Sequence, residues 1–78
     1  MNEQHSIYAS IGYKLSEHRK HNELSQGQLA DILQIPRRTY GNYELGIRKI
    51  PLDILLKIAD YYKLPVSHFV SGNVSEAV

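Results

Sequence analysis

The sequence predicts an all-α domain, on three observations. Apolar residues in its best-patterned stretches recur every three or four positions, the period of a helix. Residues that start and stop helices punctuate those stretches: Ser25 with Gln28 three places on, Pro36, Gly46 and Pro51. Finally, 78 residues without a cysteine leave a small core with no disulfide or thiolate metal site to support it, so close helical packing or a partner subunit is needed.

The elements follow in chain order. Ile7, Ile11 and Leu15 stack on one face of a helix over about residues 7–21, with Glu17, Arg19 and Lys20 on its other faces, and Asn22 is the expected left-handed stop. Ser25 and Gln28 make a capping box for a short second helix that ends near Leu33, its buried stripe formed by Leu29, Ile32 and Leu33, with Ala30 small enough for close packing. Pro36, with its fixed φ, suits the first turn of a third helix, and Gly46 is placed to cap its end. Pro51 opens a fourth helix, "LDILLKIADYY". Its apolar residues Leu52, Leu55, Leu56, Ile58, Ala59 and Tyr62 form a stripe wide enough for a central position. "KLPVSHFV" reads as a turn and a short fifth helix in which Val66, Phe69 and Val70 close the core, and 71–78 as a frayed tail. The whole is one domain, 1–78, with its core over about 7–70 and no internal repeat.

Charge is informative only in its distribution. Nine basic and eight acidic side chains nearly cancel, yet Arg37, Arg38, Arg48 and Lys49 lie within one short segment against the single acid Glu44. On a helical wheel at about 100° per residue, Arg37, Arg38, Gly41 and Asn42 share an arc of roughly 140°. Pro36, Thr39, Tyr40 and Tyr43 occupy the opposite side, which puts tyrosine toward the domain and arginine outward. Arginine presents a planar fork that can donate two bonds to guanine O6 and N7, and asparagine can pair with adenine N6 and N7, so this face suits base reading in the major groove. Arg48 and Lys49, in the loop that follows, are natural phosphate ligands that orient without reading sequence. Gly41, between Arg38 and Asn42 on the recognition face, either lets the backbone approach the groove or is tolerated at an exposed site.

Two short helices joined by a tight turn, the second with its polar groups on one exposed face, form a helix-turn-helix. "LSQGQLADILQIPRRTYGNYELG", with Ile11 and Leu15 before it and "LLKIADYY" after it, resembles the phage-repressor and Cro type of helix-turn-helix protein, the XRE family, over about residues 11–70. That resemblance implies a compact five-helix lambda-repressor-like domain with helices 2 and 3 as the helix-turn-helix. It implies that Gln26 bonds a DNA phosphate and braces its neighbours, and that Arg37, Arg38 and Asn42 reach base edges. It also implies a buried ion pair between Arg19 and Glu44. The sequence departs from the family pattern at Gln34, where a turn glycine is usual, and at Pro36, where a capping hydroxyl is usual. Tyr40 and His18 stand where aliphatic residues are usual.

Other chemistries are poorly supported. His18 and His21 are three apart on a helix but have no further ligand in obvious reach, so neither metal nor cofactor is expected. No activated nucleophile motif is present, so an enzyme is not expected. No apolar run approaches the roughly 20 residues that span a bilayer, and the start lacks the pattern of a secretory signal, so a cytoplasmic protein is expected. The expected function is that of a sequence-specific regulator of transcription, a repressor, acting as a homodimer on a two-fold double-stranded operator. Val66, Phe69 and Val70 are the candidate dimer surface, with plain core closure as the alternative. A protein-interaction module of antitoxin or anti-repressor type, or a restriction-modification control protein, would use the same fold.

Overall fold

A computed structural model describes residues 3–70, and the expected tail lies outside them. Four helices run in order: α1 (Glu3–His21), α2 (Gln26–Leu33), α3 (Arg37–Leu45) and α4 (Leu52–Tyr62). Residues 67–70 are helical as well and supply the fifth. No strand occurs among the described residues. The fold is all-α and lambda-repressor-like, with α2 and α3 forming the helix-turn-helix.

All four long helices stop in the same way. The residue after the last turn takes a left-handed conformation and donates its N–H three residues back, and the next residue donates five residues back. For α2 these bonds run from Gln34 to the Asp31 carbonyl at 3.1 Å and from Ile35 to the Ala30 carbonyl at 3.0 Å. Glu23, Gln34 and Lys63 hold the left-handed position at φ near 60°, and Gly46 holds it for α3 at φ 75°. The stop of α1 therefore falls on Glu23 and not on Asn22, whose side-chain amide instead donates to the His18 carbonyl at 2.7 Å. An apolar residue, Leu24, Ile35, Ile47 or Leu64, follows every stop. Leu24, Ile35 and Leu64 pack against the core, while Ile47 after α3 is exposed.

The starts are less uniform. Ser25 Oγ accepts from Gln28 N at 3.0 Å while Gln28 Oε1 accepts from Ser25 N at 2.8 Å, a complete capping box. Pro36 and Pro51 stand one place before their helices, extended at ψ 144° and 150°, without a side-chain cap. Pro36 is consequently outside the helical wheel and exposed, where the sequence reading placed it toward the domain.

The core joins Ile11 and Leu15 of α1, Leu29, Ala30 and Leu33 of α2, Tyr40 and Tyr43 of α3, and Ile54, Leu55, Ile58 and Ala59 of α4, with Ile50 and Phe69. Some expected stripe residues stay outside it: Ile7, Ile32, Leu52 and Leu56 are all exposed. The stripe of α4 is narrower than expected, and its phase is set by Ile54 and Ile58. Phe69 is completely buried, so it cannot belong to a dimer surface; Val66 and Val70 pack against the same core. Phe69 closes the core because the turn at Pro65 brings residues 67–70 back over α1, where the His68 carbonyl accepts from Lys14 Nζ at 3.4 Å.

Gly12 determines how α1 meets α3. A Cβ there would stand 2.6 Å from the Tyr43 carbonyl oxygen and closer still to that of Glu44, so the backbones meet with no room for a side chain. This contact sets the depth at which the last turn of α3 seats against α1.

Candidate nucleic-acid interface

The site has an outer face and an inner brace. The brace is built around Glu44, in the last turn of α3, whose side chain keeps 6% of its accessible surface. Arg19 Nε donates to Glu44 Oε2 at 2.7 Å and its Nη2 donates to Oε1 at 3.2 Å, a two-pronged pair across from α1. The remaining acceptor positions are filled by Tyr40 Oη, which donates to Oε2 at 2.6 Å, and by Gln26 Nε2, which donates to Oε1 at 2.9 Å. Arg19 Nη1 spends its own donor on the Leu24 carbonyl at 2.8 Å, in the link between α1 and α2. One carboxylate thus fastens α1, α2, their link and α3 together.

The electrostatics follow from that geometry. Burial alone would raise the Glu44 carboxyl, but the hydrogen bonds from Arg19, Tyr40 and Gln26 outweigh it and hold Glu44 below the ordinary carboxylate value. Arg19 is held above its ordinary value, chiefly by the bond to Glu44. The Tyr40 hydroxyl is pushed well up, first by burial and then by donating to a carboxylate. Burial likewise pushes Tyr62 up to about 12.

The outer face is α3 seen from solvent. Arg37 and Arg38 are exposed and Asn42 half-buried, while Tyr40 and Tyr43 are buried on the other side. Gln26, the first residue of α2, lies beside this face, because its amide stands over Gly41. A Cβ on Gly41 would come within 3.2 Å of Gln26 Oε1. The glycine therefore makes room for the Gln26 side chain between the two helices, an explanation that neither sequence alternative contained. The stem of Arg37 lies over Gly27, where an added Cβ would stand 3.6 Å from Arg37 Cδ. That places a positive side chain beside the first amides of α2, which have no partner within their own helix. Arg48 and Lys49 are exposed in the loop after α3, and Lys49 Nζ stands 6.0 Å from the centre of the Tyr8 ring.

Two features lay beyond the sequence reading. Tyr40 lies in the core, as its phase on the helix predicts, and its hydroxyl completes the brace. The signal for it was present, since Tyr40 and Glu44 are four apart on one helix. Gly12 carried no such signal, because only the approach of α3 makes it necessary.

The fold and this site define a helix-turn-helix domain of the lambda-repressor type. The family model HTH_3, described as Helix-turn-helix, matches residues 15–69. "Uncharacterized HTH-type transcriptional regulator YobD" of Bacillus subtilis (strain 168) is 35% identical over 57 residues, covering 73% of this chain and 51% of that protein. The chain thus spans about half the length of this curated relative. Among solved structures, the restriction-modification controller protein C.AhdI from Aeromonas hydrophila superimposes with a TM-score of 0.75 at 28% identity, over 82% of this chain and 97% of that one. The DNA-binding domain of S. venezulae BldD gives 0.72 at 27% identity, over 83% and 97%. The chain belongs to the XRE-type helix-turn-helix family.

Proposed function

We propose that this chain is a sequence-specific regulator of transcription that binds double-stranded DNA and reads the major groove with α3. The observation that carries the reading is the division of α3 into two faces. Arg37, Arg38 and Asn42 point outward from a helix whose inner side is held by the Glu44 brace. Arg37, Arg38 and Asn42 reach base edges; Gln26, Arg48 and Lys49 hold phosphates, with the free amides at the start of α2 adding donors of the kind that anions favour. The position of Arg37 over Gly27 lets it share the phosphate held by α2 as well.

One such helix reads only a few base pairs, so useful specificity calls for a homodimer on a two-fold operator with half-sites about one helical turn apart. We infer further that it acts as a repressor, by occupying a promoter. A second reading, control of restriction-modification genes, is favoured by the likeness to C.AhdI, which extends over nearly all of that chain. Selection of bound sequences from random duplex DNA tests the proposal. A palindromic consensus is the expected result, and recovery of unrelated sequences would overturn it. Operators next to restriction and methylation genes would favour the second reading over the first.

A further inference from the structure

Away from the face assigned to DNA, two imidazoles meet. His18, in the last turn of α1, and His68, in the helical residues 67–70, bring their Nε2 atoms to 2.8 Å. The rings cross at 69° with centroids 4.8 Å apart. Among the described residues this is the hydrogen bond between side chains that ties residues 67–70 to α1, and Phe69, which closes the core, stands 5.4 Å from both rings.

Counting protons shows when this contact can exist. Each neutral imidazole carries one N–H and one bare nitrogen, so one ring donates from Nε2 and the other accepts there. A first added proton settles on the outward Nδ1 of the donor ring and leaves a charge-assisted bond. A second puts N–H on all four nitrogens. Two Nε2–H groups cannot stand at 2.8 Å, because no lone pair lies between them and both rings are cations. The contact is therefore compatible with every protonation state of the pair except the last.

The surroundings oppose that last proton. From α1, Lys14 brings an ammonium to the His68 carbonyl at 3.4 Å, and His21 adds a third imidazole one turn after His18. From α4, Tyr62 packs on the His18 ring with Tyr61 beside it, and its hydroxyl, pushed up to about 12, stays neutral through the whole acid range. Burial first, then His68 and His21, holds His18 below the ordinary imidazole value, and Glu17 pulls the other way. The stabilisation from this group is therefore fully present above the unfolded value of about 6.5 and is lost as the pH falls below it. Glu44 responds lower, below about 4.5, so the two groups act in separate windows.

We propose that the His18–His68 pair is an acid-sensitive latch, whose fully protonated form releases residues 67–70 from the end of α1 and opens the seat of Phe69 while the rest of the domain stays folded. The proposal does not depend on the DNA-binding reading.

The test uses the full chain and amide hydrogen exchange followed by NMR between pH 8 and pH 5, expressed as protection so that the intrinsic pH dependence of exchange cancels. Amides of two buried residues are compared: Phe69 N, which donates to the Val66 carbonyl at 3.0 Å, and Leu29 N in α2, which donates to the Ser25 carbonyl at 3.1 Å. Protection of Phe69 should fall about tenfold toward pH 5, while that of Leu29 stays within about twofold. His68→Gln is the discriminating variant. His68 is exposed, and a glutamine amide can bond His18 in either protonation state without carrying charge. Phe69 protection in that variant should stay within about twofold across the range. Unchanged Phe69 protection in wild type, an equal fall at Leu29, or the same acid response in His68→Gln would each overturn the proposal.

Discussion

Gln26 Nε2 donates to Glu44 Oε1 at 2.9 Å, so the first residue of α2 is tied to the last turn of α3. The same carboxylate takes both prongs of Arg19 and the hydroxyl of Tyr40. The angle between the two helices of the motif is therefore held at its open ends by one side chain, while Leu29, Leu33 and Tyr40 hold it from within the core. A carboxylate with this many donors stabilises through what its removal leaves behind.

Glu44→Ala leaves the Arg19 guanidinium without a counter-charge in a site where its side chain is only 12% exposed. Loss of one partner of a fully buried pair typically costs about 3–5 kcal/mol; Arg19 and Glu44 are part-buried, so a loss at or below the lower end of that range, about 3 kcal/mol at most, is expected in denaturant unfolding. Lys20→Ala, one position on at an exposed site, should change stability by less than about 0.5 kcal/mol.

Acid tests the same group in the intact protein. Glu44 is held below its ordinary value by its donors, so its contribution is fully present above the unfolded value of about 4.5 and is lost as the pH falls through the lower folded value. The stability gap between wild type and Glu44→Gln should be constant at neutral pH and narrow below about pH 4.5. Unfolding midpoints measured down the acid range check this, and a gap that widens in acid would contradict the brace.

Tyr40→Phe removes one donor from the carboxylate and keeps the ring that fills the core. Hydrogen bonds to charged groups are worth about 1.5–3 kcal/mol, so a loss in that range is expected with the fold retained. Alkali gives the complementary result. The Tyr40 and Tyr62 hydroxyls are both raised, Tyr62 to about 12, so their stabilisation is complete below the unfolded value of about 10 and declines as the pH rises above it. Tyr40→Phe should therefore lose less stability than wild type between neutral pH and about pH 11.

Gln34 holds a left-handed conformation with its side chain in solvent. A non-glycine residue there costs about 1–2 kcal/mol, part of which glycine returns through its freer unfolded chain, so Gln34→Gly should stabilise by about 0.5–1 kcal/mol. Thermal unfolding reads this directly. The sequence departs from the family pattern at this turn by holding a side chain in the left-handed conformation.

Local signals made most of the fold legible. The capping box at Ser25, the stop at Gly46 and the inward tyrosines of α3 are short-range patterns, and the structure contains each of them. The Arg19–Glu44 pair, which no spacing along the chain reveals, came through family resemblance and is present at 2.7 Å. What stayed hidden depends on long-range contact. Gly12 is needed only because α3 lands on it, and Gly41 only because Gln26 reaches across from α2. The partner of His18 is His68, fifty residues away, where the sequence offered only its neighbour His21. Apolar counting also overreached, since Leu52 and Leu56 look like core on a wheel until the register of α4 is set by Ile54 and Ile58.

The proposed division of labour has the outer face of α3 reading bases while the flanking cations hold phosphate. It is tested most directly by measuring the affinity of wild type, Arg38→Ala, Asn42→Ala and an Arg48→Ala/Lys49→Ala double variant for a selected site and its single-base variants, at several salt concentrations. Arg38→Ala and Asn42→Ala should each lose about 1–3 kcal/mol of discrimination at particular base pairs. The loop double variant should weaken all sequences alike and flatten the salt slope by about two. If Arg38→Ala and Asn42→Ala instead weakened every sequence equally and left base preference intact, α3 would not be the reading helix.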